Sequence, residues 1–258
     1  MERGTKGSWD AKGTQPVVAL EGVTVKYSSA LAIEDVTLSF RLGEMVLIIG
    51  PNGGGKTTVL RAITGLVKPV RGRVSLLGRD PLKDPSIRRT VSYVPQLKEL
   101  NIHAPLTVWD LVEMGRYSRI GLLQGLGARD RAAVERAIEA VGLEDKAGVR
   151  ISELSGGQLQ RAIIARALAQ DAKVYLLDEP FESVDQPTEE LLISVLKGVK
   201  EQGALVLLTE HHLSSRVTSF DRVVLMNRRL VAEGGPKEVL KDKHLQAAYG
   251  VKLQMMAE

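Results

Sequence analysis

The stretch Gly50-Pro51-Asn52-Gly53-Gly54-Gly55-Lys56-Thr57-Thr58 restricts the folds open to this chain more tightly than any other. The apolar run Met45 to Ile49 precedes it and the helix-like Val59 to Ile63 follows, so the glycines occupy a strand-to-helix turn. Without side chains the backbone can curl until several N–H groups point inward, and a helix starting near Lys56 adds the partial positive charge of its N-terminus. Such a turn is a cradle for an anion. Lys56 can reach β- and γ-phosphate oxygens as a point charge, and the Thr57 hydroxyl can complete a Mg²⁺ shell. A glycine-rich surface turn beside a stray lysine is the bland alternative. It requires the spacing, the Lys-Thr pair and both flanks to coincide by chance.

With 258 residues the chain is one large domain or two modest ones. No apolar run approaches the roughly 20 residues that span a bilayer, and no apolar segment of a signal peptide follows Met1. A cytoplasmic location is expected, with any membrane role peripheral. The absence of cysteine excludes disulfides and thiolate metal sites. A net charge of +4 suits phosphates, nucleic acid or an anionic membrane face equally and separates none of them.

Residues 1–16 are polar and lack an apolar period, which predicts a flexible tail, and 251–258 read as a second one. Strand-like alternation marks Val17 to Leu20, Val23 to Tyr27 and Val36 to Phe40 as antiparallel strands, while Met45 to Ile49 reads as a strand buried on both faces. Further strands are expected at Gly72 to Leu77 and Val91 to Val94, the latter stopped by Pro95 and followed by Gln96, whose amide can bind a metal or a water. Helical periodicity then takes over from about 97 to 169, with Trp109 and Met114 expected in the core of this lobe and Gly115 to Gly127 as a solvated connection. Ser155 reads as an N-cap before Gly156, Gly157 and Gln158, exposing N–H groups, a hydroxyl and a helix dipole to an anion. A flexible cap is the alternative there. The apolar strand Lys173 to Leu177 ends in Asp178 and Glu179, where ligands of parallel sheets gather. Asp178 suits Mg²⁺ through water, and Glu179 suits the orientation or deprotonation of an attacking water. Ala204 to Thr209 is a second buried strand, followed by Glu210, His211 and His212. A histidine there can bond a γ-phosphate and the attacking water. Val223 to Met226 and Arg229 to Glu233 form a closing hairpin before a last helical segment at Pro236.

Together these residues resemble the ATP-binding cassette family over about Val17 to Tyr249. Gly50 to Thr58 looks like its Walker A, Gln96 its Q-loop, Leu154-Ser-Gly-Gly-Gln158 its signature, Val174 to Glu179 its Walker B, Val184-Asp185 the end of its D-loop and His211 its switch histidine. Tyr27 matches the aromatic that stacks on adenine. The resemblance implies a P-loop NTPase (RecA-like) core with an antiparallel β subdomain and an inserted α-helical signature subdomain, within an ATPase domain at 17–250. It implies ATP and Mg²⁺ as ligands, Thr57, Gln96 and Asp178 at the metal, and Glu179, His211, Gln96 and Lys56 in hydrolysis. Two copies would pair head to tail, with Ser155 to Gln158 and Asp185 of one closing on the nucleotide of the other. Further implied partners are integral membrane permease subunits and, indirectly, an extracytoplasmic substrate-binding protein; no nucleic acid is expected. The chain would sit on the inner face of the cell membrane.

Asp178-Glu-Pro-Phe181 and Val112-Glu-Met-Gly-Arg-Tyr117 resemble the importers of manganese, zinc or iron, while siderophore and cobalamin importers share similar stretches. Departures from the family pattern stand at Glu182-Ser183, at His212 where an Asp is common, and at Gly54 where Ser or Ala is common. Gly54 is expected to be harmless. A GTPase reading lacks an Asn-Lys-x-Asp guanine reader, and a chromosome-maintenance ATPase would need long heptad repeats that are absent. A single-cassette ATPase of iron-sulfur assembly remains the open non-transport alternative.

Overall fold

The computed structural model describes residues 15–97, 104–120, 125–182, 184–211 and 215–250. The expected tails at 1–16 and 251–258 lie outside these residues, apart from Gln15 and Pro16, and so do Ser183 and His212.

Two sheets organise the fold. β1 (Val18–Tyr27), β2 (Ala30–Phe40) and β4 (Arg71–Leu76) form a three-stranded antiparallel sheet in the order β2-β1-β4. The expected pair of short strands at 17–20 and 23–27 is one strand. Gly22, at φ 58°, absorbs a register shift between Leu20 and Val23 without ending it. The second sheet has six strands in the order β5-β6-β7-β3-β8-β9, from β3 (Met45–Ile49), β5 (Val91–Val94), β6 (Val174–Asp178), β7 (Leu205–Glu210), β8 (Arg222–Asn227) and β9 (Arg229–Gly234). All pairings among the first five of that order are parallel, and β9 closes the edge antiparallel to β8.

The unbroken apolar composition of β3, β6 and β7 follows from burial on both faces. In β3, Met45, Leu47 and Ile49 join one core with the helical lobe, whereas Val46 and Ile48 join another with the antiparallel sheet and α1 (Lys56–Ile63). Tyr175 and Leu177 divide from Val174 and Leu176 in the same way. A period of two with apolar residues in both phases gives a strand with no solvent face.

The helical lobe is built from α2 (Val108–Glu113), α3 (Tyr117–Ile120), α4 (Ala128–Ala140) and α5 (Gly156–Ala169). α2 starts on a reciprocal cap, Thr107 accepting from the Asp110 amide at 3.1 Å while Asp110 accepts from the Thr107 amide at 2.9 Å. Val108, Leu111, Val112, Val134, Ile138 and Ile163 fill the space between the helices. Two expectations for this lobe fail. Met114 is 46% exposed rather than core, because it follows the last turn of α2 beyond the packed face. Arg116, placed in a solvated connection, is buried. Its guanidinium bonds Asp130 at 2.8 Å and the Ala169 carbonyl at 2.7 Å, clamping α4 to the end of α5. The chain leaves the lobe through α5 into β6, α6 (Gln186–Glu201) joins β6 to β7, and α7 (Pro236–Val239) and α8 (Asp242–Tyr249) follow β9. Among the described residues no helix is long and apolar enough to cross a membrane.

Candidate functional site

The parallel pairing gathers the site. β3 leads into Gly50 to Lys56, β6 ends in Asp178, β7 ends in Glu210 and β5 runs toward Gln96. Register fixes the neighbours: Asp178 pairs with Thr209, Ile49 with Glu210, and Val94 with Leu177. Gln96 follows Val94 by two residues, just past the carboxyl end of β5. That end is where parallel sheets place ligands.

The loop owes its shape to glycines at two points. Gly55 is the N-cap of α1 with φ 92°, and a Cβ there would lie 2.3 Å from Ile33 Cγ2 and 2.8 Å from the Ala32 carbonyl. At Gly54 a Cβ would fall 2.8 Å from the Pro51 oxygen, so a side chain there would need that carbonyl to shift. Among the described residues no side chain caps the first turn of α1, which leaves its N–H groups to an anion.

Lys56 is 4% exposed. Its ammonium donates to the Gly50 and Pro51 carbonyls at 3.0 and 3.2 Å and stands 3.6 Å from Glu179 Oε1. Burial pushes the Lys56 pKa down, and the nearby carboxylates of Glu179, Asp178 and Glu210 oppose that shift. The Thr57 hydroxyl donates to Asp178 Oδ1 at 3.1 Å, while buried Asp178 Oδ2 has no hydrogen-bond partner among the described residues. A hydroxyl and a partly unsatisfied carboxylate this close form an oxygen set that fits a Mg²⁺ ion completed by phosphates and waters. Glu179 adopts φ 49°, a left-handed conformation rare for a side-chain residue and typical of strained sites. His211 Nδ1 lies 3.4 Å from Glu179 Oε2. Carboxylate, ammonium and imidazole thus converge on one point.

Two contributors lay outside the candidate set. The Thr209 hydroxyl donates to Asp178 Oδ1 at 2.6 Å and accepts from the Glu179 amide at 3.0 Å. Glu210 is the last residue of β7, not the first beyond it, and its Oε1 is buried without a hydrogen-bond partner among the described residues. Burial, then repulsion from Glu179, pushes its pKa up to about 8 against an opposing bond from the Phe181 amide. The signal for both was available: polar residues that close the all-apolar run Leu205 to Leu208.

The remaining candidates lie apart from this cluster. Ser155 and Gln158 cap each other, Ser155 Oγ accepting from the Gln158 amide at 3.3 Å and Gln158 Oε1 accepting from the Ser155 amide at 3.0 Å. This reciprocal cap lets α5 begin at Gly156 despite two glycines, with Ser155 as the N-cap. A Cβ on Gly157 would sit 3.5 Å from Thr188 Oγ1, and the Thr188 amide donates to Asp185 Oδ1 at 3.1 Å. Ser155, Gly156 and Asp185 are exposed, and they form a second polar surface on the chain. The Thr188 bonds hold the Asp185 carboxyl below its ordinary range. Tyr27 is 44% exposed at the end of β1, where β1 pairs with β2, the strand that touches Gly55. Pro51 and Asn52 line the loop and Thr58 is buried in α1.

A family model described as ABC transporter matches residues 33–182. A manganese transport system ATP-binding protein of Listeria innocua is 38% identical over 231 residues, covering 90% of this chain and 95% of that protein. A zinc transport system ATP-binding protein of Treponema pallidum is 40% identical over 241 residues, covering 93% and 90%. Among solved structures, an ATP-binding cassette bound to ADP and Pi, described as a dimeric post-hydrolysis state, superposes with a TM-score of 0.75 at 29% identity, covering 85% of this chain and 98% of that one.

Proposed function

We infer, since this chain belongs to the ABC transporter family, that it is the ATP-binding and ATP-hydrolysing subunit of an importer for a metal ion such as manganese, zinc or iron. The observation that carries the reading is the convergence of Lys56, Asp178, Glu179 and His211 on the carboxyl end of a parallel sheet. The two relatives' own manganese and zinc transport supports the metal cargo. The ATPase domain spans 17–250, with 97–169 as its helical subdomain.

In this reading Tyr27 stacks on adenine, and residues Gly50 to Thr58 wrap the phosphates. The amides of the first α1 turn and Lys56 hold the β- and γ-phosphates. Thr57, Asp178 and Gln96 hold Mg²⁺, which when bound offsets negative charge on the transferring phosphoryl group. Glu179 accepts a proton from water as its oxygen attacks the γ-phosphorus. The bond from that phosphorus to the bridging oxygen breaks, leaving ADP and inorganic phosphate. His211, beside Glu179 Oε2, orients the water and the γ-phosphate.

Ser155, Gly156, Gly157, Gln158 and Asp185 complete the site of a second copy, a reading that the exposure of Ser155, Gly156 and Asp185 supports. Two nucleotides then join the copies, and hydrolysis separates them. The pair docks on integral membrane permease subunits at the inner face of the membrane. An extracytoplasmic substrate-binding protein meets the permease rather than this chain.

Purification of the tagged chain from native membranes in mild detergent, with phosphate release and mass spectrometry as readouts, tests the reading. ATP hydrolysis with a multi-span permease recovered is expected. Hydrolysis with only soluble assembly proteins would discard transport, and absence of hydrolysis would discard the site.

A further inference from the structure

A groove of about 670 Å³ runs between α4 and α6 over the last turn of α5. It lies at the amino end of β6, where Tyr175 contributes to its lining, whereas Asp178 ends the same strand at the proposed ATP site. Arg116, Arg119, Arg129 and Arg136 line it, against the single carboxylate of Asp171. Two of these cations are already neutralised, Arg116 by Asp130 at 2.8 Å and Arg119 by Asp171 at 2.9 Å. Arg129 and Arg136 are exposed, and among the described residues no carboxylate pairs with either. They stand two helical turns apart on one face of α4, roughly 10 Å at the α-helical rise.

We propose that this groove binds a small organic polyanion carrying two or more phosphate groups, one clasped by Arg129 and another by Arg136. The guanidinium fork matches phosphate oxygens two at a time, and the volume is that of a small-molecule site. Ala133 and Gly198 keep the facing walls low enough for an organic body to lie against both helices, and Ser194 adds a hydroxyl. A protein partner is the poorer occupant. Such surfaces anchor on large apolar or aromatic side chains, and among the described residues none of the exposed large hydrophobic ones, Tyr27, Leu42, Leu66, Val70, Leu82 and Met114, lines the groove. A bound ligand would bridge α4 and α6 across α5, the helix whose first turn carries Ser155 to Gln158.

Calorimetric titration of sodium tripolyphosphate into the full chain, with the nucleotide site first saturated with ADP, tests the proposal. Saturable binding at one site is expected, weakened at least tenfold in the Arg129→Ala/Arg136→Ala double variant. Arg131→Ala, on another face of α4, should leave it unchanged, and ADP affinity should be unaltered in every variant. Ser194→Glu, which sets a negative charge in the facing wall, should weaken binding in the same direction without touching either arginine. Absence of tripolyphosphate binding, or equal binding in wild type and both groove variants, overturns the proposal. Binding of a heptaglutamate peptide but not of tripolyphosphate also overturns it, and assigns the groove to an acidic protein segment.

Discussion

The hydroxyl of Thr209 sits 2.6 Å from Asp178 Oδ1 and donates to it. The Thr209 hydroxyl oxygen also accepts from the Glu179 amide, so one residue of β7 holds two successive acidic residues where β6 ends. The bonds exist because the parallel register pairs Asp178 with Thr209.

Replacing Thr209 with Val keeps the shape and removes the hydroxyl. The Glu179 amide and one lone pair of Asp178 then lose their partner in a buried setting, which costs about 1–3 kcal/mol of stability. Loss of an orienting bond behind a metal ligand should raise the Mg²⁺ concentration that half-saturates ATP hydrolysis by about 10–100-fold. A denaturant melt and a Mg²⁺ titration of turnover read these separately. An unchanged Mg²⁺ requirement would remove Thr209 from the positioning of Asp178.

Glu179→Gln preserves side-chain size while removing both the proton acceptor and the charge beside Lys56 and His211. ATP binding should persist, with hydrolysis reduced by about 10²–10⁴-fold. Gel filtration with MgATP should show a stable dimer that ADP does not support. Wild-type turnover in this variant would exclude Glu179 as the base.

Gly53 and Gly55 provide a matched pair. Both have positive φ, at 74° and 92°, but a Cβ on Gly53 meets nothing within 4 Å and one on Gly55 strikes Ile33 and the Ala32 carbonyl. Gly53→Ala should cost about 1 kcal/mol, for left-handed backbone alone. Gly55→Ala should cost about 1–3 kcal/mol more, because the loop must shift, and should weaken ATP binding as well. Equal losses in the two variants, by thermal melt and nucleotide titration, would contradict the close approach of β2 to the loop.

The Glu210 carboxyl titrates near 8 in the folded chain, against an ordinary value of 4.5. Between those values the folded state holds a proton that the unfolded state releases, so stability falls as pH rises through that window. Below 4.5 the contribution is complete, and above 8 it is gone. Glu210→Gln, neutral throughout, should match wild type near pH 5 and exceed it at pH 9 by on the order of a few kcal/mol. Parallel melts across that range would fail to diverge if Glu210 ionised normally.

Sequence alone determined the parts whose physics is local. Glycine spacing before Lys56 and Thr57, the apolar runs ahead of Asp178 and Glu210, and the cap at Ser155 all report on neighbours within a few residues, and from these the α/β plan and the phosphate cradle could be read. Tertiary structure decided what depends on the pairing of distant segments. The Asp178–Thr209 register, the clash with Ala32 and Ile33 that reserves position 55 for glycine, and the burial of Arg116 between Asp130 and the Ala169 carbonyl each join residues far apart in the chain. A threonine at the end of one strand and an aspartate at the end of another carry no mark of their partnership. Packing both faces of the parallel sheet sets the register, and the register then chooses which polar residues meet.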